Sequence, residues 1–436
     1  MKLSIICIIL LVISQNTCSQ PAWHVMPNSP FVTNGRHEDT YFINATTGWV
    51  INYEGQVYKT TTGGSNWDTL SHFLNTALRS TGFFNAGTGI IGTLDSGHVL
   101  FRTTNGGLNW TDITQNIQGT PPGGLCGISI VNSNTAFASG RYLCPAYVVK
   151  TTNAGVNWTS LPVDTSLVRS LVDCYFWSAD SGIVVGGYAA NNRFDQGKSV
   201  VLKTTNGGLN WTRVYISSRT GEWCWKIQFI SRQTGYVSIE NFGGPVFYLK
   251  TTDGGLTWIE MPFITNYDVE GIGFLNENTG WIGGWKGPNY ETTNAGISWH
   301  LAGWGVNMNR IRFLSDTLAY AVGETVYKFT TEPIGIKPIS TEVPKQFSLE
   351  QNYPNPFNPS TNIGFRIADF GYTILVVYDI SGKEISILIN ENLKAGIYSV
   401  NWDATDYPSG VYFYKLSVDN HTNSVFTQSR KMVLLK

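Results

Sequence analysis

Short stretches of apolar side chains, separated by polar turns rich in glycine, recur along most of the chain. One ten-residue pattern, here called the turn pattern, runs from a bulky apolar residue through two threonines and a glycine-containing turn to a tryptophan. Its start predicts the end of a β-strand, and its Asn-Gly-Gly or Asp-Gly-Gly core predicts a tight turn, since glycine adopts positive φ without strain. The tryptophan then opens the next strand as a large apolar anchor. The copies are Tyr58–Trp67, Phe101–Trp110, Val149–Trp158, Leu202–Trp211, Leu249–Trp258 and Tyr290–Trp299.

A second pattern, here called the strand pattern, lies upstream of each turn pattern and occurs once more often. It begins with an apolar residue, usually phenylalanine, and has glycine or alanine six residues later, followed by another apolar residue. Because it ends one strand and opens the next, it supplies the remaining strands of each unit. The copies are Phe42–Trp49, Phe83–Ile90, Ile130–Phe137, Phe176–Ile183, Phe229–Tyr236, Phe274–Trp281 and Phe313–Tyr320.

The seventh unit is incomplete at its end, and the missing part lies at the start of the repeats. The strand Val326–Thr331 stops before its glycines and tryptophan, whereas Pro21–Pro27 carries an isolated strand around Trp23. A circle closed by pairing the first strand with the last unit accounts for both observations, and an open solenoid does not. With tryptophan anchors about 46 residues apart, the sequence predicts an all-β, seven-bladed β-propeller with four-stranded blades and a split closing blade.

The repeats end abruptly near residue 332, and a different pattern follows. Residues 333–344 contain three prolines, so we expect an exposed linker that avoids sheet pairing. From Lys345 to Lys436, six or seven short alternating stretches separated by turn residues predict an Ig-like β-sandwich. The predicted domains are therefore a propeller over 20–332, a linker over 333–344 and a sandwich over 345–436.

The first nineteen residues have the features of a signal peptide. Lys2 precedes the apolar run Leu3–Ile13, and Thr17–Ser19 offers a small-residue cleavage site. The apolar run is too short for a spanning helix, and no later stretch qualifies. We therefore expect a signal peptide over 1–19 and an exported, soluble mature chain.

Composition and charge exclude several classes of partner. Charged residues make up only 14% of the chain and the net charge is −1, so no basic surface for nucleic acid or anionic membrane is expected. Six histidines without metal-ligand spacing predict neither a metal nor a cofactor. In an oxidising setting a Cys126–Cys144 disulfide is expected from the placement of both residues in loops on one face of the third blade. Four free thiols are the alternative.

The turn pattern resembles the Asp-box of bacterial neuraminidase repeats, best seen in Thr251–Trp258. With Asn in place of Asp it is similar to the propellers of the photosystem II stability and assembly factor family. The resemblance covers residues 21–332, and in these families the motif is a structural turn away from the active face. It therefore implies the fold and no chemistry.

The last 90 residues resemble the type A sorting domain of type IX secretion. The motifs that carry the resemblance are Phe347–Thr361, Val377–Lys383, Ala395–Tyr398, Ser409–Phe413 and Lys431–Lys436. The resemblance implies that the outer-membrane translocon reads this domain and that a sorting peptidase then removes it. The cargo would reach the surface of a Gram-negative bacterium, or its medium, by way of the periplasm.

Two functions remain open for the propeller. Charged residues on the expected active face come singly from different blades, so we expect them to be solvated loop charges rather than a catalytic set. Aromatic residues there suit a protein or glycan ligand, which predicts a non-catalytic binding propeller. The alternative is a secreted glycoside hydrolase of sialidase-like or xyloglucanase-like type. The expected charges are His37, Glu38, Asp39, Arg79, Arg169, Asp173, Glu222, Lys226, Asp268, Glu270, Arg310 and Arg312, and the expected ligand contacts are Trp223, Trp225, Tyr188, Arg193, Tyr267 and Trp285.

Overall fold

The computed structural model of the chain describes residues 21–26, 28–189, 193–241, 243–265, 268–331, 336–340, 344–405, 407–419 and 425–436. The predicted signal peptide lies outside these residues. Strands dominate the described chain, with short 3₁₀ turns at Thr114–Asn116 and Phe194–Gln196. No helix among the described residues is long and apolar enough to cross a membrane.

Seven antiparallel sheets of the described chain form the blades of a propeller, as predicted. In each, the first strand faces the central axis and contacts the first strands of the neighbouring blades. Blade one comprises His37–Phe42, Gly48–Asn52, Gln56–Thr60 and Asp68–His72, and blade two comprises Leu78–Phe83, Gly89–Thr93, Leu100–Thr103 and Thr111–Asp112. Blade three comprises Gly127–Ile130, Ala136–Ser139, Tyr147–Thr151 and Trp158–Pro162. The short strand Ile117–Gln118 pairs in parallel with the last strand of blade three. Blades four and five comprise Ser170–Phe176, Gly182–Tyr188, Lys198–Thr204 and Thr212–Ile216; and Glu222–Phe229, Gly235–Asn241, Pro245–Thr251 and Ile259–Thr265. Blade six comprises Val269–Phe274, Gly280–Gly284, Pro288–Thr292 and His300–Val306.

The seventh blade is assembled from both ends of the repeat region. Its inner strands are Arg310–Ser315, Leu318–Val322 and Val326–Thr330, and its outer strand is Ala22–Val25. The pairing is antiparallel and places Trp23 opposite Phe329. The split closing blade predicted from the unequal repeat counts is confirmed.

The strand pattern is explained by packing between blades. The phenylalanine that ends a first strand stacks on an aromatic ring from the second strand of the preceding blade, and the glycine of the pattern lies against it. A Cβ at Gly48 would come within 2.4 Å of the Phe42 ring, so only glycine fits there. The stacked pairs, with centroid separations of 3.5–3.7 Å, are Tyr320 on Phe42, Trp49 on Phe83, Phe137 on Phe176 and Tyr236 on Phe274.

The turn pattern satisfies its own hydrogen bonds. The Thr103 hydroxyl donates to Asn105 Oδ1 over 3.0 Å and accepts from the Gly107 amide over 2.9 Å. Asn105 Oδ1 also accepts from the Asn109 amide at 2.9 Å, and the Trp110 indole donates to the Gly107 carbonyl. These groups close the loop on themselves, so they hold the fold and offer nothing to a ligand.

The C-terminal region is a β-sandwich, as predicted. One sheet comprises Ile336–Ser340, Gly396–Asp403, Ser360–Ile367 and Ser348–Leu349, and the other comprises Glu384–Leu393, Gly371–Tyr378, Gly410–Asp419 and Val425–Leu434, each given in spatial order. A shared apolar core that includes Phe365, Trp402 and Tyr414 fills the space between them.

One expectation about the linker is wrong. Residues 336–340 form an edge strand of the first C-terminal sheet, although the prolines were expected to prevent pairing. The pairing is tolerated because Pro338 lies on the sheet edge beside a register shift, where a missing N–H costs no central ladder bond.

Candidate ligand-binding site

A pocket of about 510 Å³ opens where the central axis of the propeller meets one face. That face carries the loops before the first strands and between the second and third strands, as expected from the sequence. Such a volume is within the usual range of small-ligand or side-chain pockets. The lining residues are Val32, Asn34, Gly35, Arg36, Glu38, Tyr53, Glu54, Arg79, Leu94, Tyr142, Trp225, Glu240, Asp268, Glu270 and Trp285.

Irregularities in the first strands direct side chains into the pocket. The register of pairing shifts at Glu38, Arg79 and Glu270, and across Trp225 in the fifth blade. A bulge inserts an unpaired residue and changes the direction of its side chain. Four blades therefore present a charged or aromatic group to the same space.

Two arginines and two glutamates form a buried ionic network at the base of the pocket. Arg36 pairs with Glu38 over 3.1 Å and also with Glu270, and Arg79 pairs with Glu38. Burial lowers the pKa of Arg36 to about 10, so it stays charged at neutral pH. Asn309 donates to the second oxygen of Glu38 over 2.8 Å. Both glutamates are thus held as carboxylates by fixed donors.

Glu240 and Asp268 form a second, different carboxyl pair on the pocket wall. Burial, and then the charge of Asp268, raises the pKa of Glu240 well above its usual range, and burial also raises the pKa of Asp268. Because each carboxyl group disfavours a second negative charge beside it, the pair favours holding one proton. No N–H or O–H group elsewhere in the described chain reaches Glu240 Oε2 or Asp268 Oδ1.

Two tryptophans of the pocket already make cation–π contacts with arginines of the same pocket. The Arg36 guanidinium lies 4.7 Å from the centre of the Trp285 ring, and the Arg79 guanidinium lies 5.4 Å from that of Trp225. Tyr142 packs beside Trp225 with ring centres 5.8 Å apart. These contacts orient both arginines and cover part of each indole face.

Beneath the pocket a further charged layer fills the axis. Arg310 bridges Asp173, at 2.7 Å, and Asp39, at 3.3 Å, while Arg312 also pairs with Asp39. Lys226 Nζ has no hydrogen-bond partner among the described residues. Burial, and to a smaller extent the charge of Arg310, lowers the pKa of Lys226 well below its usual range. These charged groups come from the first strands of blades one, four, five and seven and do not line the pocket themselves.

The predicted solvated charges are for the most part buried. Glu38, Arg79, Asp173, Lys226 and Arg310 are all at most 6% exposed, because the first strands converge on the axis. The expectation of solvated loop charges is wrong for them. Convergence of single charges from several blades produces the network instead.

Trp223 does not present its ring to a ligand. It is fully buried, and its ring fills the space left by Gly187 and Gly197, where an added Cβ would come within 2.2 Å. The proposed role of Trp223 as a stacking platform is therefore corrected, since its neighbours in blade four enclose it.

The other predicted contacts divide into three groups. Trp225 and Trp285 line the pocket. The Tyr188 ring lies under the Arg169 guanidinium, and Arg193 is exposed and paired with Asp195. Neither residue lines the pocket. Tyr267 lies outside the described residues.

The predicted disulfide is not formed. Cys126 and Cys144 are both free, as are Cys174 and Cys224. Cys126 is fully buried near the charges of Arg79 and Lys226, whereas Cys144 is partly exposed. In the part of the chain that the structure describes, no group of three His, Cys, Asp or Glu side chains is arranged to hold a metal.

Sequence reasoning missed several lining residues, notably Arg36, Tyr53, Tyr142 and Glu240. The repeats contain a usable signal. The fifth residue after the glycine of the strand pattern is Tyr53, Leu94, Glu240 or Trp285 in four blades, and each of these lines the pocket. The fourth residue before the phenylalanine is Glu38, Arg79, Trp225 or Glu270, and these line it as well.

Comparison with known proteins identifies the C-terminal region. Residues 351–432 match the family model described as a secretion system C-terminal sorting domain, which confirms the predicted sorting domain. No curated protein sequence matches the chain significantly.

Solved structures support the propeller. A structure described as YCF48 bound to D1 peptide is 17% identical and covers 72% of this chain and 100% of its own, with a TM-score of 0.52. YCF48 from Cyanidioschyzon merolae is 20% identical and covers 71% of this chain and 98% of its own, with a TM-score of 0.52. A GH74 enzyme from Niastella koreensis is 12% identical and covers 93% of this chain and 67% of its own, with a TM-score of 0.50. At these identities the likeness shows the fold alone. The chain is an exported propeller protein with a sorting domain at its C-terminal end.

Proposed function

We propose that this protein is a non-catalytic binding propeller that holds a segment of another protein, or a glycan, in the axial pocket. The observation that carries the proposal is the state of the pocket's charged groups. Its arginines and two of its glutamates neutralise each other, and burial raises the pKa of Glu240 and Asp268. Such a site offers shape, aromatic walls and a few directed polar atoms, which is the composition of a recognition pocket.

The same groups are poorly placed for glycoside hydrolysis. Retaining enzymes hold two carboxyl groups about 5–5.5 Å apart and inverting enzymes about 6.5–9.5 Å apart. Burial raises the pKa of both Glu240 and Asp268, whereas the nucleophile or base of either mechanism is a carboxyl group that ionises readily. Glu38 is held by two arginines and Asn309, so it is not free to act as a nucleophile.

The C-terminal sorting domain would deliver the propeller to its place of action. The sorting domain over 345–436 would be recognised by the type IX translocon and removed by its sorting peptidase. The propeller would then act at the cell surface or in the medium. One similar structure is described as bound to a peptide, which makes a peptide ligand for this propeller a fold-level analogy.

The test is a ligand screen with the whole purified protein on a peptide array and a glycan array, beside a panel of chromogenic glycosides. We expect array binding and no turnover. Trp285→Ala should weaken the binding found by about 1–3 kcal/mol, the range of an aromatic contact in a pocket. Phe370→Ala, at an exposed aromatic residue outside the propeller, is the matched control.

Two results would contradict the proposal. One is the absence of binding on either array. The other is glycoside turnover that Glu240→Gln or Asp268→Asn abolishes, which would make the pair catalytic.

A further inference from the structure

Negative charge exceeds positive charge in the pocket. Among its lining residues are five carboxyl groups, those of Glu38, Glu54, Glu240, Asp268 and Glu270, against the guanidinium groups of Arg36 and Arg79. The excess persists even with one proton on the Glu240–Asp268 pair. Glu54 is exposed, but the other four carboxyl groups are buried or half-buried, and an excess of one sign there attracts a ligand of the opposite sign because the surrounding dielectric is low.

Glu240 supplies a buried acceptor that no N–H group of the described chain fills. The residue is 6% exposed and lines the pocket, and its Oε2 atom accepts no N–H or O–H hydrogen bond from elsewhere in the described chain. Arg36 cannot fill it by turning, because its guanidinium is already shared between Glu38 and Glu270. In the free protein only the proton of the Glu240–Asp268 pair serves these acceptors, and a ligand that brings a cationic donor can take its place.

We infer that the pocket takes the positively charged side chain of a lysine or arginine of a peptide, placed against Glu240 and Asp268. This inference rests on the proposed binding function and names the chemistry of its ligand. The apolar stem of such a side chain has matching walls in Val32, Leu94 and Tyr142, which line the same space.

A peptide fits these walls better than a sugar ring does. Ring stacking needs an open aromatic face, but Arg36 lies over Trp285 and Arg79 over Trp225. Trp225 is also only 4% exposed. A slim cationic chain reaches the carboxyl pair without requiring either face.

Binding exchanges one cation for one proton. Because two neighbouring carboxyl groups in a poorly solvated wall disfavour a double negative charge, the free pair keeps one proton. The incoming ammonium or guanidinium replaces it, so that the proton leaves to solvent and both carboxyl groups become ionised. Affinity therefore rises as pH increases through the titration of the pair and levels off above it. The charged groups that face the pair are Arg36, Arg79, Glu38, Glu54 and Glu270.

The experiment uses the whole protein and capped pentapeptides with a central lysine, arginine or norleucine between glycines. Norleucine keeps the aliphatic stem and removes the charge. By titration calorimetry we expect the lysine and arginine peptides to bind about ten- to a hundredfold more tightly than the norleucine peptide. We also expect uptake of close to one proton by the buffer, seen as a dependence of the heat on buffer ionisation.

Variants separate the pair from the fold. Glu240→Gln with Asp268→Asn keeps the shape and should bring the lysine peptide to the affinity of the norleucine peptide, with the pH dependence lost. Glu277→Gln, at an exposed glutamate of blade six outside the pocket, should change neither and is the control. Thermal melting of each variant establishes that it is folded.

The inference is overturned if norleucine binds as well as lysine, if the double variant keeps the lysine preference, or if affinity falls with rising pH. If glucosamine binds more tightly than the lysine peptide and N-acetylglucosamine does not bind, the cationic ligand is an amino sugar. That result would overturn the proposal of a peptide ligand. Array ligands without a basic residue would remove this inference and leave the proposed function standing. The absence of any array ligand would remove both.

Discussion

Replacing Trp223 by alanine tests how the fifth blade is locked against the fourth. The ring is fully buried and is enclosed by Gly187 of one strand and Gly197 of the following loop. Backbone atoms border it on both sides, and they cannot rotate inward as side chains do. The space vacated by the ring should therefore remain largely empty.

The expected cost follows from two estimates that agree. A buried aromatic side chain removes about 150–250 Å² from water, which at about 25 cal/mol per Å² gives about 4–6 kcal/mol as an upper value. Measured truncations of buried Phe or Trp to Ala cost about 3–5 kcal/mol, with the higher values where the site cannot collapse. We expect a loss of about 4 kcal/mol in the unfolding free energy of the propeller.

The assay is equilibrium denaturation in urea, monitored so that the propeller and the sorting domain are resolved as separate transitions. Trp285→Ala removes a partly exposed tryptophan from a loop and serves as the control, with a much smaller expected shift. A Trp223→Ala protein with an unchanged propeller midpoint would refute the packing argument.

A second variant probes the same contact from the opposite side. Gly187→Ala in the wild-type background places a Cβ about 2.2 Å from the Trp223 ring and should destabilise the propeller. In the Trp223→Ala background the same Cβ enters the vacated space, so the double variant should be no less stable than Trp223→Ala alone. Additive losses would show that Gly187 acts through something other than this ring.

Three other outcomes are expected. Deleting Ala22–Val25 should expose the edge of blade seven and abolish cooperative melting of the propeller or cause aggregation, whereas a deletion variant that melts as the full chain does would argue against the split blade. Mass spectrometry of the released form should find peptides ending near residues 333–346, and recovery of intact Lys436 there, or normal export without 347–436, would count against removal of the sorting domain. Under native conditions an alkylating reagent should modify Cys144 before the buried Cys126, and four thiols should react after unfolding; fewer than four would reveal a disulfide.

The fold was predictable because its determinants are local and repeated. The unequal numbers of strand and turn patterns require a unit divided between the ends, and the pairing of Trp23 with Phe329 satisfies that requirement. Each turn closes with its own Thr and Asn side chains, so no distant residue had to be known.

The pocket was harder to predict because its residues stand where the regular alternation of strands breaks. Simple alternation assigns Trp223 and Trp225 to one face. The register shift after Cys224 separates them, so Trp225 lines the pocket and Trp223 enters the packing between blades. That outcome depends on the glycines Gly187 and Gly197 in another blade, a pairing that only the assembled ring defines.

The divided blade also sets an order of events during synthesis. Trp23 is made among the first residues of the propeller, yet its partner Phe329 follows about 300 residues later, so the ring closes by one very distant contact. Each blade can form its local hairpins as it emerges, while the first strand stays without its partner. Two copies emerging side by side can therefore exchange first strands, and chains linked in this way become more common as the local concentration of new protein rises.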